Sequence, residues 1–228
     1  MKKILPLFIT QLICVHAMAQ KIPKFGADLG MKTILKKDIR IPYTSLTSYY
    51  GYIKPGTKPD EVKGGKNYYY VYLWIPLAAP EIGVRMISPI PSGMAPEAGD
   101  FQSATYDSNK TENNNFFDTW VTLERAVNIV SLNDITTKIN EANWVRLGYN
   151  DDSGELPEQP SGNAYNSVMR VSSTVSDPLR ALTVGLYRIG FTTFKTGEVE
   201  GGFVAQIGAP VKLPGVKISA TAADLVTQ

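Results

Sequence analysis

The stretch "NYYYVYLWIP", residues 67–76, decides how this chain is read. Nearly every residue in it is aromatic or β-branched, the types that fit a pleated, packed surface. Polar and apolar positions do not alternate, as they would if one face met water. Such a run reads as a strand buried on both faces. Pro76 ends it, because proline has no N–H to give to a sheet ladder. The same composition also suits a platform on which a sugar or a partner protein could stack, since Tyr offers amphipathic area at low entropic cost. Core packing and platform both stand from these residues alone.

Outward from this strand, β signals recur in both directions. "TSLTSYYGYI" (44–53) is rich in Thr and Tyr and stops at the loop "KPGTKPDEVKGGK". "GVRMIS" (83–88) is a short strand closed by "PIPSGMAPEAGD". In "DTWVTLERA" (118–126), Thr119, Val121 and Leu123 alternate with Trp120, Thr122 and Glu124, so the two sets take opposite faces. One helix follows: Ser131 and Asn133 are candidate N-caps, Asp134 sits three after Ser131 in a capping-box-like pattern, and Ile135, Ile139 and Ala142 share a stripe. Further strands are expected at "WVRLGY", "AYNSVMRVSS" (164–173) and "LTVGLYRIGFTTF" (182–194). "KTGEVEGG" reads as a hairpin-type turn into a returning strand, "FVAQIGAP" (203–210).

Many strands, Pro- and Gly-rich turns and one short helix predict an all-β fold, an antiparallel jelly-roll or Greek-key β-sandwich, with a closed barrel as the alternative. The strands are too short and irregular for an outer-membrane barrel. The expected organisation is a signal peptide at 1–19, an N-terminal arm at 20–43, the β-sandwich domain at 44–216 and a tail at 217–228.

The signal peptide is read from "MKKILPLFITQLICVHAMAQ": a basic start, an apolar run to about Val15, and Ala17-Met18-Ala19 as an A-x-A cleavage site. The run is shorter than the ~20 residues that span a bilayer, so no transmembrane segment is expected. Cys14 could instead be an acylated lipoprotein cysteine, but Gln11 and Ile13 occupy the places where that signal needs an aliphatic and a small residue. Cleavage before Gln20, a Sec-type export route, and a place at the cell surface, in the outer membrane, in the periplasm or in the medium are expected. The chain's one Cys and one His, Cys14 and His16, both lie in the removed segment. That excludes disulfides, thiolate nucleophiles, imidazole bases and Cys/His zinc sites from the mature protein. The chain has 23 Lys and Arg against 21 Asp and Glu, and loss of Lys2 and Lys3 brings these level. A balanced charge is a poor basis for nucleic-acid binding.

The chemistry-bearing feature is Asp151-Asp152, inside the turn-rich "GYNDDSGELPEQPSGNAYNS" (148–167). These carboxylates are either solvated or gathered round a hard cation. The spacing is not an EF-hand. A discontinuous calcium site stays open, because calcium takes about six to eight oxygens of mixed kind in flexible geometry. A glycosidase-like pair could be drawn from Asp118, Glu124, Asp151 and Asp152, but nothing places two of them across a cleft, and no nucleophile-elbow, P-loop or His-centred motif occurs. No enzymatic activity is expected.

Several segments, in order over about residues 45–216, resemble one family: "YYGYIKPG" (49–56), "YLWIP" (72–76), "GVRMISP" (83–89), "FDTW" (117–120), "YNS" (165–167), "GLYRI" (185–189), "FTT" (191–193) and "PGV" (214–216). The family is that of the major outer-membrane surface lipoprotein of leptospires and its relatives in marine bacteria. The resemblance implies a calcium-binding jelly-roll sandwich similar in shape to collagen-binding adhesin domains, without catalysis. It also implies a macromolecular ligand of the extracellular-matrix type; a glycan is the alternative partner, and a carbohydrate-binding module or a structural envelope protein the alternative roles. It implies calcium (Ca2+) ligands at Asp118, Thr119, Asp151, Asp152 and Tyr165, the last through its backbone carbonyl because a neutral phenol is a poor ligand. The family's acidic loop is a longer Asp run than the pair found here.

Overall fold

The computed structural model describes residues 31–34, 36–40, 43–112, 114–195 and 197–228. The expected signal peptide, Cys14 and most of the expected arm lie outside the described residues. What is described of the arm is an antiparallel pair, β1 (Met31–Ile34) and β2 (Lys37–Arg40). Thereafter come β3 (Thr44–Ile53), β4 (Glu61–Lys63), β5 (Lys66–Ile75), β6 (Glu81–Ile87), β7 (Phe101–Gln102), β8 (Thr119–Ala126), β9 (Trp144–Asn150), β10 (Ser167–Ser172), β11 (Gly185–Thr193), β12 (Gly201–Ala209) and β13 (Lys217–Ser219). Three short helices interrupt them: α1 (Tyr106–Asn109), α2 (Leu132–Lys138) and α3 (Asp224–Thr227). Among the described residues no helix is long and apolar enough to cross a membrane.

Two sheets form a sandwich. The first has the order β10-β6-β12-β3-β7, the second β13-β5-β11-β8-β9 with β4 beside β5. Four antiparallel pairs are nested along the chain: β3 with β12, β5 with β11, β6 with β10, and β8 with β9. Successive pairs fall in alternate sheets, so the chain behaves as one long antiparallel ribbon wound round a core. That is the jelly-roll arrangement. A parallel pair joins β3 to the short β7.

The inner faces meet in one apolar cluster that includes Val71, Leu73, Val121 and Ile189 from the second sheet and Val84, Ala205 and Ile207 from the first. Aromatic rings bridge the sheets at its centre. Phe191 of β11 lies 4.6 Å from Phe203 of β12, 5.7 Å from Tyr69 and 6.2 Å from Phe117. Tyr187 is fully buried, and its hydroxyl donates to the Thr183 carbonyl.

The strand at 67–76 is buried on both faces by two different chemistries. Tyr69, Val71, Leu73 and Ile75 enter the core. On the opposite face Trp74 packs with Ile135 of α2 and Leu225 of α3. The ring of Tyr70 lies 3.7 Å from the Arg188 guanidinium, and that of Trp144, at the start of β9, lies 4.2 Å from it. Arg188 also pairs with Glu124 at 2.6 Å and Glu61 at 3.7 Å. Gly190 makes room for this layer: a Cβ there would stand 2.7 Å from the Tyr70 ring and 2.6 Å from Thr122 Oγ1.

The helix capping box forms as its sequence predicts, with Ser131 accepting from the Asp134 N–H and Asp134 accepting in return. The α-helix stops at Lys138; Ile139–Glu141 tighten into a 3-10 turn, yet Ile139 and Ala142 still pack on the same cluster as Ile135. Three expectations change. The segment "KPGTKPDEVKGGK", expected as a loop, carries β4, which pairs antiparallel with the start of β5. The one expected helix is joined by α1 and α3, single turns too short to leave a periodic stripe and without side-chain caps. The segment after β11 is not a hairpin turn: β11 and β12 lie in different sheets, because Phe191 and Phe203 must face each other across the core. The chain after residue 216 adds β13 to the edge of β5 and buries Leu225.

Phe191→Ala should cost ~3–5 kcal/mol, the usual loss for a truncated core aromatic, and Trp74→Ala should lower the soluble yield sharply. Val175→Ser, at a position 92% exposed, should stay within ~0.5 kcal/mol. Urea unfolding followed by far-UV circular dichroism measures the difference; equal midpoints for Phe191→Ala and Val175→Ser would place Phe191 outside the core.

Candidate metal centre

The antiparallel register of β8 on β9 pairs Val121 with Asn150. Asp118, just before β8, is thereby set beside the point where the chain leaves β9 into Asp151 and Asp152. The Asp118 carbonyl accepts the Phe194 N–H at 3.1 Å, which extends the β8–β11 pairing by one step and fixes the backbone there.

Thr119 then ties the second sheet to the first. Its N–H and its hydroxyl both donate to the Tyr165 carbonyl, each at 3.0 Å. Its Oγ1 also lies 2.6 Å from Ser167 Oγ, at the start of β10. Ser167 Oγ in turn is 2.6 Å from the Thr119 carbonyl and 2.7 Å from the Asp151 carbonyl. One hydroxyl proton cannot serve both carbonyls, so oxygen lone pairs outnumber protons at this point. Asp152 N–H is shared between Asn150 Oδ1 and Asp151 Oδ1, both at 3.1 Å.

Sequence reasoning passed over the side chains that hold the loop between β9 and β10. Buried Gln159 donates to the carbonyls of Ser88 (2.7 Å) and Phe117 (2.8 Å). Buried Asn166 accepts from the Ser88 N–H at 2.9 Å and donates to the Pro157 carbonyl at 2.8 Å. Asn150 donates to the Val168 carbonyl at 2.6 Å. Only Asn166 and Ser167, inside "YNS", carried a motif signal; Gln159 sits in a Pro-rich loop with none.

The electrostatics are unfavourable as they stand. Asp118 Oδ1 is buried and has no hydrogen-bond partner among the described residues. Burial raises the Asp118 carboxyl to about 6; the charges of Asp152 and then Asp151 push the same way, while Lys195 and Lys66 oppose them. Asp152 is raised as well, by burial and then by Asp151. Three carboxylates thus feel one another at one end of the sandwich. Among the described residues no three Asp, Glu, His or Cys side chains are closed into a ready-made metal cluster. The convergence is of mixed type: side-chain carboxylates, two hydroxyls and backbone carbonyls. Glu124 is not part of it, being held by Arg188 at 2.6 Å and Arg146 at 3.8 Å on the outer face.

All five residues singled out from sequence therefore lie on three adjoining segments: Asp118 and Thr119 at the head of β8, Asp151 and Asp152 after β9, and Tyr165 before β10. The family model described as Lipl32, surface lipoprotein of Spirochaetales order, matches residues 37–218. No curated protein matches the chain.

Because folding raises the Asp118 value from 3.8 to about 6, the folded state holds this proton more tightly than the unfolded chain. Its contribution to stability is complete below the unfolded value and is lost as pH rises through about 6. In chelator, Asp118→Asn should therefore gain on the parent as pH rises, and melt higher than the parent at neutral pH. Melting curves of both proteins from about pH 4 to about pH 7 test this; a constant difference would mean Asp118 is solvated.

Proposed function

Because this chain belongs to the Lipl32 family of surface lipoproteins, we propose that it is a surface-exposed, non-catalytic β-sandwich of adhesin type, braced by calcium, that binds macromolecules. The observation that carries the calcium reading is the buried Asp118 Oδ1, without a partner among the described residues, with Asp152 and Asp151 pressing on the same carboxyl. A buried charge without a partner is costly, and like charges beside it raise the cost. A divalent ion removes both penalties together. The donor set fits calcium: Asp118, Asp151 and Asp152 supply carboxylates, Thr119 a hydroxyl, and Tyr165 a carbonyl, all hard oxygens. Magnesium is a poorer match, since it demands near-octahedral geometry and dehydrates reluctantly. A bound ion would tie the head of β8, the exit of β9 and the entry to β10 together, stiffening the end of the sandwich that carries the longest loop.

Membership in a surface-lipoprotein family implies export and a place at the cell surface. For the N-terminus we propose cleavage before Gln20, because Gln11 and Ile13 do not make an acylation signal around Cys14, the chain's sole cysteine. Intact-mass measurement of the natively exported protein should give a chain starting at Gln20; a diacylated Cys14 as first residue refutes this. A matrix-type protein is the proposed class of ligand, read by solid-phase binding to immobilised matrix proteins.

If calcium binds only the folded state, it should stabilise by ~2.7 kcal/mol when free ion is about 100 times Kd. For a domain of this size that is a rise in Tm of roughly 5–10 °C. Asp118→Ala, or Asp151→Ala with Asp152→Ala, should abolish the rise. Isothermal titration and thermal melts in chelator and in millimolar calcium measure it. No shift in the parent, or an equal shift in the double variant, would leave Asp151 and Asp152 as solvated loop carboxylates.

A further inference from the structure

The end of the sandwich opposite the carboxylates has a different surface. The pairings of Ile75 with Gly185, Glu81 with Ser172 and Ala209 with Thr44 gather connecting segments there: residues 76–80, 173–184 and 210–216. Residues 127–131 join them, because the Ile129 carbonyl accepts the Leu186 N–H at 3.3 Å. Each segment exposes an aliphatic side chain: Leu77, Val130, Val175 with Leu179, and Val211, all between 43% and 92% exposed. These are five of the nine large apolar side chains exposed among the described residues, so the exposure is concentrated at one end. The segments are well held. The Ala79 N–H donates to the Leu182 carbonyl at 2.9 Å and the Ser173 N–H to the Pro80 carbonyl at 2.8 Å. Buried Arg125 donates to the carbonyls of Pro178 (3.2 Å) and Ala181 (2.8 Å), and Arg180 donates to the Leu147 carbonyl at 3.0 Å. Leu179 is therefore held outward between two tethered neighbours.

The chemistry of the four segments is uniform. Asp177, Arg180 and Lys212 are their charged residues, and they hold no aromatic one. Asp177 is turned inward to accept the Leu179 N–H at 3.0 Å. The next charges after Val130, those of Asp134, Lys138 and Glu141, belong to α2 and the 3-10 turn, which pack against Trp74 and Leu186 on the outer face of the second sheet. Pro76, Pro80, Pro178, Pro210 and Pro214 remove backbone donors that would otherwise need water.

We infer that this aliphatic end is a membrane-contact surface, whose loop tips enter the boundary between headgroups and acyl chains of a lipid bilayer. Three features select a lipid surface. Protein partners anchor on Trp, Tyr and Arg set in well-packed pockets, and Leu and Val are under-represented among such anchors. Short aliphatic tips on separate loops need no complementary shape in a fluid acyl layer, and the stems of Arg180 and Lys212 let their charges stay at headgroup level. The family is one of surface lipoproteins, and β3, the first strand of the sandwich, starts at this same end. A membrane reached through the N-terminal side of the chain therefore meets these loops. The inference rests on family membership and on the loops, and not on calcium.

Flotation with phosphatidylcholine vesicles tests this, using the chain from Gln20 onward, which carries neither the apolar leader nor a lipid. These vesicles have no net charge, so basic residues of the arm do not drive binding. The chain should rise with the vesicles. Val175→Ser combined with Leu179→Ser, checked by a parental melting curve, should weaken partition roughly fivefold or more. Tyr149→Ser, at an exposed ring near the carboxylates, should leave it unchanged. The chain from Gln20 has no cysteine, so an environment-sensitive fluorophore attached at Val175→Cys reports on one loop. Its emission should shift to the blue with vesicles, and the same label at Tyr149→Cys should not shift. No flotation overturns the inference. So does flotation that the paired variant keeps or that Tyr149→Ser loses. Self-association without lipid that the paired variant abolishes also overturns it, by making a second copy the occupant. None of these variants alters a proposed calcium ligand, so a failure of the calcium melts leaves this test readable.

Discussion

Everything at the candidate site follows from the antiparallel pairing of β8 with β9, the innermost turn of the wound ribbon. Antiparallel strands bring the beginning of one beside the end of the next. Asp118 and Asp151 are separated along the chain by the whole β8–α2–β9 unit, yet the register that pairs Val121 with Asn150 makes them neighbours. The ribbon then passes to the other sheet, and Thr119 closes the gap by donating twice to the Tyr165 carbonyl before β10. Two sheets meet at that point through hydrogen bonds and not through apolar contact.

The two ends of physical cost in this molecule are far apart in kind. In the centre, Phe191, Phe203, Tyr69 and Phe117 fill the space between the sheets, where area removed from water stabilises the fold without directional demands. At the carboxylate end, Asp118 Oδ1 is buried with no partner among the described residues, and like charges crowd it. A fold that tolerates such an arrangement gives up stability there.

The outer face of the second sheet divides along similar lines. Near its middle, Arg188 between Tyr70 and Trp144, paired with Glu124 and Glu61, closes a layer in which every charge is answered. The largely buried Arg188–Glu124 pair adds little net stability by itself, because desolvation offsets the attraction. It seals Tyr70 over Gly190 and fixes how the strands lie. Toward the carboxylate end the covering stops, and Tyr149 and Phe194 stand in the open. The boundary between covered and uncovered aromatic surface therefore falls beside the acidic residues.

The sequence by itself determined the long strands and the α2 capping box, because those depend on neighbours within one segment: side-chain period, β-branching, proline stops and a cap three residues from its partner. Asp151 and Asp152 stood out by themselves as an adjacent acidic pair, while Asp118, Thr119 and Tyr165 were brought forward by the resemblance of short segments to the family. The sequence did not decide that β11 and β12 face each other across the core, nor that α3 seals the outer face with Leu225, nor that Gln159 and Asn166 hold the acidic loop. It also left Trp120 of β8, Tyr149 of β9 and Phe194 beyond β11 as unrelated residues, which the sheet brings side by side. Those facts belong to the tertiary structure alone, because each depends on which strand lies beside which. Sheet pairing joins segments far apart in the chain and leaves no local period to read.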